Sequence, residues 1–478
     1  MPQPLAAEAP RFEALAEPSP SPAPVEPEPE DPHEPCEEDE DACCPGDNGT
    51  SCFPCEPEGT GPEEEGCCDD DASEGPVRYL NGELQFSVTD LSAGGFGGLL
   101  QHRRIYSNRL TASADVGNGY NWLIETWPYL VEHADGSITV VRGTRGALWF
   151  DSVNGDYVGR YGALSTLVHE PGNQRFVLTL PAGPQYRFHD FDQTEFPPGR
   201  FAARMARGGQ LTKVTAYTDD QRIEQIEQTA GSGGSEITRA FRYTYHAQGP
   251  IESVTLRQRT GGGDWTDIRR ATYDYYGADE DFGSFGDLKR VRIQDPEGQG
   301  WGDIDVHYYR YYKQGDPNGF AHGLKFVLGP EPYARMIEDG LEPLAEPDAV
   351  LAQYAEQYLK YDIDKRVVSE SLDGGSRTFG FAYTASTHSD GYNHWKAKTV
   401  ETRPDGSEHV VYTNYIGQIL IKELRSGSDR WIEYRRYDHQ GRRIERANPS
   451  AVIGYDDSQA DLDVALSSDA GLIQVREY

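Results

Sequence analysis

The chain has 478 residues, a formal net charge of −35 and a mean hydropathy of −0.69, room for about two to four average domains or one large repeat assembly. No apolar run approaches ~18 residues, which excludes a transmembrane helix. The part from Arg78 onward holds 56 acids and 43 bases, a net of −13, which argues against binding nucleic acid by neutralising phosphates.

The remaining negative charge is concentrated at the start. Between Phe12 and Val77 there are 22 Asp and Glu and no Lys or Arg. Such an acidic, Pro-rich stretch buries too little apolar surface to offset its ordering entropy, so residues 1–77 are expected to be a disordered tail. "MPQPLAAEAP" has neither a basic n-region nor an apolar h-region, so no secretory signal is visible. All seven cysteines lie in this tail: Cys36, Cys43, Cys44, Cys52, Cys55, Cys67 and Cys68. "CFPC" has a spacing that zinc or a redox pair could use, yet no second CxxC follows and His33 is the tail's single histidine. Free thiols or opportunistic disulfides are the favoured reading. Asn48-Gly49-Thr50 fits a glycosylation acceptor, which matters only in a secreted eukaryotic chain.

Ordered structure is expected from "VRYLNGELQFSVTDL", where β-favouring and polar residues begin to alternate. All 29 tyrosines follow Arg78 and outnumber the 17 phenylalanines, predicting ring positions whose hydroxyls reach water. Tight hairpins are predicted at Asp135-Gly136, Asp373-Gly374 and Asp405-Gly406, because Asp-Gly tolerates the positive φ such turns need. Asp295-Pro296 is read as a turn. "EPDAVLAQYAEQYLKYD" interrupts the strands: Val350, Leu351, Tyr354, Ala355, Tyr358 and Leu359 recur at helical spacing, so a helical insertion is expected, preceded by loop, near 315–360.

A tyrosine-led unit recurs along the second half. Tyr217, Tyr245 and Tyr273 are spaced 28 residues apart, and further copies stand at Tyr361 with Asp362, at Tyr412, and most fully in "YDHQGRRI" from Tyr437. The unit reads as strand, turn, strand: Tyr closes one strand, Asp438 accepts backbone N–H groups, Gly441 takes a strained φ, and Ile444 opens the return. A single hairpin cannot bury its own faces, so recurrence implies stacking. Here the chain resembles the YD-repeat, or rearrangement-hotspot (RHS), family, whose Tyr-Asp-x-x-Gly-Arg-Leu/Ile repeat is matched by Tyr437, Asp438, Gly441, Arg442 and Ile444, with one extra residue before Ile444. Gln221 and Lys365 replace the expected Gly, and an acidic insertion splits the Tyr273 copy. "LQFSVTDLSAGGFGGLLQHRRIYSNRL" and "GNGYNWLIETW" are similar to the segment leading into bacterial RHS repeats, at Thr89, Asp90, Leu91, Gly95, Arg104, Tyr106, Ser107, Gly117, Gly119 and Trp122. The family's Gly-x-Gly-Trp is lengthened here by two residues.

The resemblance implies an all-β fold. Antiparallel strand-turn-strand repeats would coil into a curved sheet or partial hollow β-shell of bacterial RHS and teneurin type. The lead-in region would span 78–205 and the repeat region 206–478. It further implies a non-enzymatic, toxin-related scaffold at the cell surface or secreted, enclosing a C-terminal effector or mediating surface contact. A strand-like end at "GLIQVREY" is what a chain cut from a longer array would have.

Other chemistry was weighed. HExxH, GxSxG, P-loop and GxGxxG signatures are absent from the sequence. His189, Asp190 and Asp192 in "HDFD" fit an alternating strand better than a metal site, and "TGGGDW" fits a turn better than a phosphate loop. Sugar binding through Trp265, Trp301, Trp395 and Trp431 is the second reading. A polysaccharide-active enzyme with two facing carboxylates is the third. No catalytic residue, metal or cofactor is expected; the expected partners are an effector or glycans, with no nucleic acid.

Overall fold

The computed structural model describes residues 72–94, 100–110, 117–142, 147–161, 163–181, 183–231, 235–247 and 249–478. The readings made for the acidic tail up to residue 71, its cysteines, His33 and Asn48, and for Gly95, lie outside the described residues, whereas residues 72–77 are placed, with Val77 buried and bridged to Leu84. The fold is all-β. Among the described residues, twenty-five strands form one antiparallel sheet, starting at Tyr129–Glu132 and ending with Arg443–Ala447 and Ile473–Val475. Each strand from Tyr129–Glu132 to Arg443–Ala447 pairs with its neighbours in sequence, so the sheet is laid down as a succession of hairpins and runs without a break through residues 205 and 206. It closes on itself: Tyr129 bridges Arg200, and Leu130 N donates to Gly199 O at 2.7 Å.

Local chemistry accounts for the hairpins. Gly136 and Gly406 both have φ of 80°, and Asp135 and Asp405 each accept the N–H of the serine two residues on at 2.9 Å. Asp373-Gly374 turns the chain between Val367–Leu372 and Arg377–Ala385. Along the strands, alternation separates two faces. In Ile237–Tyr245, Phe241 and Tyr243 are buried while Arg242 and Thr244 face solvent.

A second layer covers the buried face. A three-stranded sheet of β1 (Gln85–Ala93), β2 (Leu100–Ser107) and β3 (Trp122–Ile124) shares one core with Tyr243, Tyr273, Tyr309 and Leu324 of the main sheet. The segment before it runs under later hairpins: Tyr79 donates its hydroxyl to Glu401 at 2.8 Å, and Leu80 packs on Gly417. A tyrosine seam brings distant turns together, with Tyr161 and Tyr392 both against Tyr415 at ring distances of 6.4 and 5.7 Å.

The structure corrects three local expectations. The longer helix, α1 (Pro330–Glu338), falls in the stretch expected to be loop, and α2 (Asp348–Leu351) is one turn long. Tyr358 and Leu359 lie instead in the strand Gln357–Tyr361, where Gln357, Leu359 and Tyr361 are buried with a period of two; over so short a window the apolar residues satisfied both periods, and pairing with Val367–Leu372 decided it. Asp295-Pro296 is still strand, paired with Gly302 and Trp301, and the turn comes after it. The tyrosine hydroxyls turn inward, as follows.

Candidate functional site

The repeat has a fixed register. The last residue of one strand pairs with the residue six positions on, in Tyr217–Ile223, Tyr245–Ile251, Tyr361–Val367, Thr413–Ile419 and Tyr437–Arg443. In Tyr275–Leu288 and Tyr311–Leu324 the return is thirteen on, so each turn holds seven extra residues. A register shift precedes the terminal residue in all seven, and such a bulge re-aims the side chain that follows it.

The turn explains the polar pair. Asp438 Oδ1 accepts from Gln440 N and Arg442 N, both at 2.9 Å, while Oδ2 accepts from Arg442 Nε at 2.7 Å. Asp362 does the same with Asp364 N, Arg366 N and Arg366 Nε, and Asn414 takes the backbone role in its own turn. Gly441 has φ of 82°; Gln221 and Lys365 adopt φ of 61° at the equivalent position.

The tyrosines then join one hairpin to the one before. Tyr245 donates to Ile223 O at 2.6 Å, Tyr275 to Ile251 O at 2.9 Å, Tyr361 to Leu324 O at 2.8 Å, Tyr383 to Val367 O at 2.6 Å and Tyr437 to Ile419 O at 2.9 Å. Every acceptor is the residue that opens a return strand. Phe could fill these places but could not make the bond. Burial pushes the hydroxyls of Tyr245, Tyr361 and Tyr383 well above the usual phenol range, so they remain donors. The turn arginine lies over the next ring: Arg222 over Tyr245 at 4.2 Å, Arg366 over Tyr383 at 4.9 Å and Arg442 over Tyr478 at 4.7 Å. Tyr478 in turn donates to Arg443 O at 3.1 Å.

Of the tyrosines singled out in the sequence, Tyr217, Tyr245, Tyr361 and Tyr437 end strands, Tyr412 is one residue short of the end, and Tyr273 is two short. Arg443, not Ile444, occupies the returning position after Tyr437. Tyr275, Tyr383 and Tyr478 were not singled out. A second tyrosine two residues after the first, as in Tyr243/Tyr245 and Tyr273/Tyr275, is the signal that marks the same face.

The lead-in residues converge on a buried charged centre. Arg104 donates to Asp90 through Nε at 2.6 Å and Nη2 at 2.7 Å, and neither side chain is exposed to solvent. Tyr273 donates to Asp90 at 2.7 Å, Arg104 donates to Tyr309 at 3.2 Å, and its guanidinium lies over Trp122 at 4.7 Å. Trp122 Nε1 donates to Tyr311 at 2.9 Å, and Tyr106 accepts from Leu324 N at 2.8 Å. Burial opposes the charge on Asp90, but the Arg104 guanidinium outweighs it and holds the carboxyl below its usual range. Thr89 lies on β1 opposite Arg103. Gly117 and Gly119 have φ of 95° and 86°, and a Cβ on Gly119 would meet Leu288 N at 3.0 Å. Closed to water and bonded across four strands, the Asp90–Arg104 pair acts as a clamp between layers.

The remaining candidates are dispersed. His189 is paired with Tyr217 at 2.6 Å and Asp190 with His169 at 2.7 Å, each with its own partner. No group of three His, Cys, Asp or Glu is placed to hold a metal among the described residues. Trp395 is buried, Arg257 and Arg259 lie over Trp265, Arg270 lies over Trp301, and Trp431 is 43% exposed.

No protein-family model and no curated protein matches the chain. Among solved structures it is similar to the crystal structure of TcdB2-TccC3-Cdc42, with 11% identity over 83% of this chain and 20% of that one, TM-score 0.25. It is also similar to the Photorhabdus luminescens Tc holotoxin pore, with 9% identity over 76% and 22%, TM-score 0.19. A porin-like protein from Bacteroides uniformis gives 10% identity over 66% and 90%, TM-score 0.16. The chain thus spans about a fifth of the Tc toxin chains it resembles, and scores this low carry no argument.

Proposed function

We propose that the chain is a non-enzymatic scaffold of the YD-repeat, RHS type, and that its coiled sheet forms part of a wall enclosing a polypeptide effector in a secreted or surface-exposed particle. The observation that carries this reading is the tyrosine bond that joins each of five hairpins to its predecessor, which commits the repeat's most distinctive side chain to holding the wall together. The buried clamp supports the same reading, because its charges join two layers and are closed to solvent. The aromatic faces that a sugar would need are largely covered, so glycan binding gains no support from Trp265, Trp301 or Trp395.

Enclosure is tested by purifying the native protein from its source without denaturant and digesting it with protease. The expected result is a second, protected polypeptide that stays with residues 72–478 and becomes digestible only after unfolding. A digest in which nothing survives except fragments of 72–478 would defeat the enclosure reading.

A further inference from the structure

The clamp includes groups that its two-layer structural role does not require. His102 lies on β2, fully buried, within a ring of aromatic side chains: Trp127, Phe241, Tyr243 and Tyr273, at ring distances of 6.4, 6.1, 5.6 and 6.2 Å. Its Nδ1 is 3.4 Å from the Tyr243 hydroxyl. Its Nε2 has no hydrogen-bond partner and stands 4.0 Å from Asp90 Oδ2. The charged and titratable groups of the cluster are Asp90 from β1, Arg104 from β2, and Tyr243, Tyr273 and Tyr309 from the main sheet, with His307 of the strand Gly300–Tyr311 in range of the same two charges.

We propose that this cluster is an acid-sensitive latch: protonation of His102 releases the inner sheet β1–β3 from the main sheet, while the hairpins of the main sheet stay joined. The charge count is the reason. Asp90 is the one carboxylate among these groups, and Arg104 already uses both of its oxygens. An imidazolium at His102 would put a second cation beside Arg104 in a site closed to water and counterions, where like charges are strongly unfavourable. Burial holds His102 down to about 4, so at neutral pH the latch is shut. The tyrosine bonds between hairpins involve none of these groups, which is why the two layers respond differently.

Hydrogen–deuterium exchange of the whole chain, at pH 7 and pH 5 and corrected for intrinsic rates, tests this. Linkage at His102 alone predicts about twenty-fold weaker protection of β1–β3 at pH 5 than at pH 7, with protection of the strands from Glu408–Thr413 to Asp429–Tyr437 unchanged. H102F should abolish most of the response. Unchanged protection of β1–β3, or loss of protection over the entire sheet at once, would overturn the proposal. If H102F does not fold, an H102Q protein that responds to acid as strongly as the natural one counts against it.

Discussion

Asp90 and Arg104 could be picked out from the sequence as members of a recurring segment, but their roles could not: their partners Tyr273 and Tyr309 lie 183 and 205 residues away. Breaking such a pair from one side leaves an uncompensated buried charge. D90N is expected to lower unfolding free energy by about 3–5 kcal/mol, and the double variant D90L/R104M by clearly less than the two single changes summed; urea melts at matched m-values measure this. The turn glycine was legible for a simpler reason, since its φ is set within five residues. At Gln221 the same φ of 61° is held by a side chain that gains nothing visible from it. Q221G is expected to raise stability by about 0.5–1 kcal/mol, and an unchanged urea midpoint would show that the turn carries no strain.

At the level of elements, the Asp-Gly hairpins were readable because a two-residue signal sets both the turn and the register around it. The helices were not. Tyr354 to Leu359 fits two periods, and only pairing with a neighbouring strand chooses between them. The N-terminal crossing segment was also hidden, because its anchor is non-local: Gly75 sits directly on the carboxyl of Glu370, which bonds Gln357 and has no room for a Cβ above it. Burial raises Glu370 to about 8, against an ordinary carboxyl near 4.5. A raised carboxyl contributes stability that is fully present below about 4.5 and is lost as pH rises through 8. The urea midpoint should therefore fall between pH 7 and pH 9, and E370Q should flatten that fall. His189 works in the other direction. Burial lowers it to about 4, so its contribution is complete above about 6.5 and fades as pH drops toward 4. H189Q should lessen the acid loss where the strand Gln185–His189 is joined to Tyr217.

At the scale of the molecule, the sequence indicated a stacked all-β array, and the structure is one. It could not indicate that the repeat's tyrosine points inward. An excess of Tyr over Phe is compatible with hydroxyls in water or with hydroxyls on buried carbonyls, and only the neighbouring hairpin decides. The inner layer was equally illegible, since nothing in the spacing of β1–β3 says which strands they cover. What unites the molecule is that five successive or near-successive hairpins are each bonded through a tyrosine to the one before, which ties the repeats into one body. The most direct measurement is urea unfolding of Y245F, Y275F, Y361F and Y437F beside the natural chain. Each is expected to lose about 1–2 kcal/mol, because a buried carbonyl loses its partner while the ring stays in place. Four variants as stable as the natural chain would contradict the account.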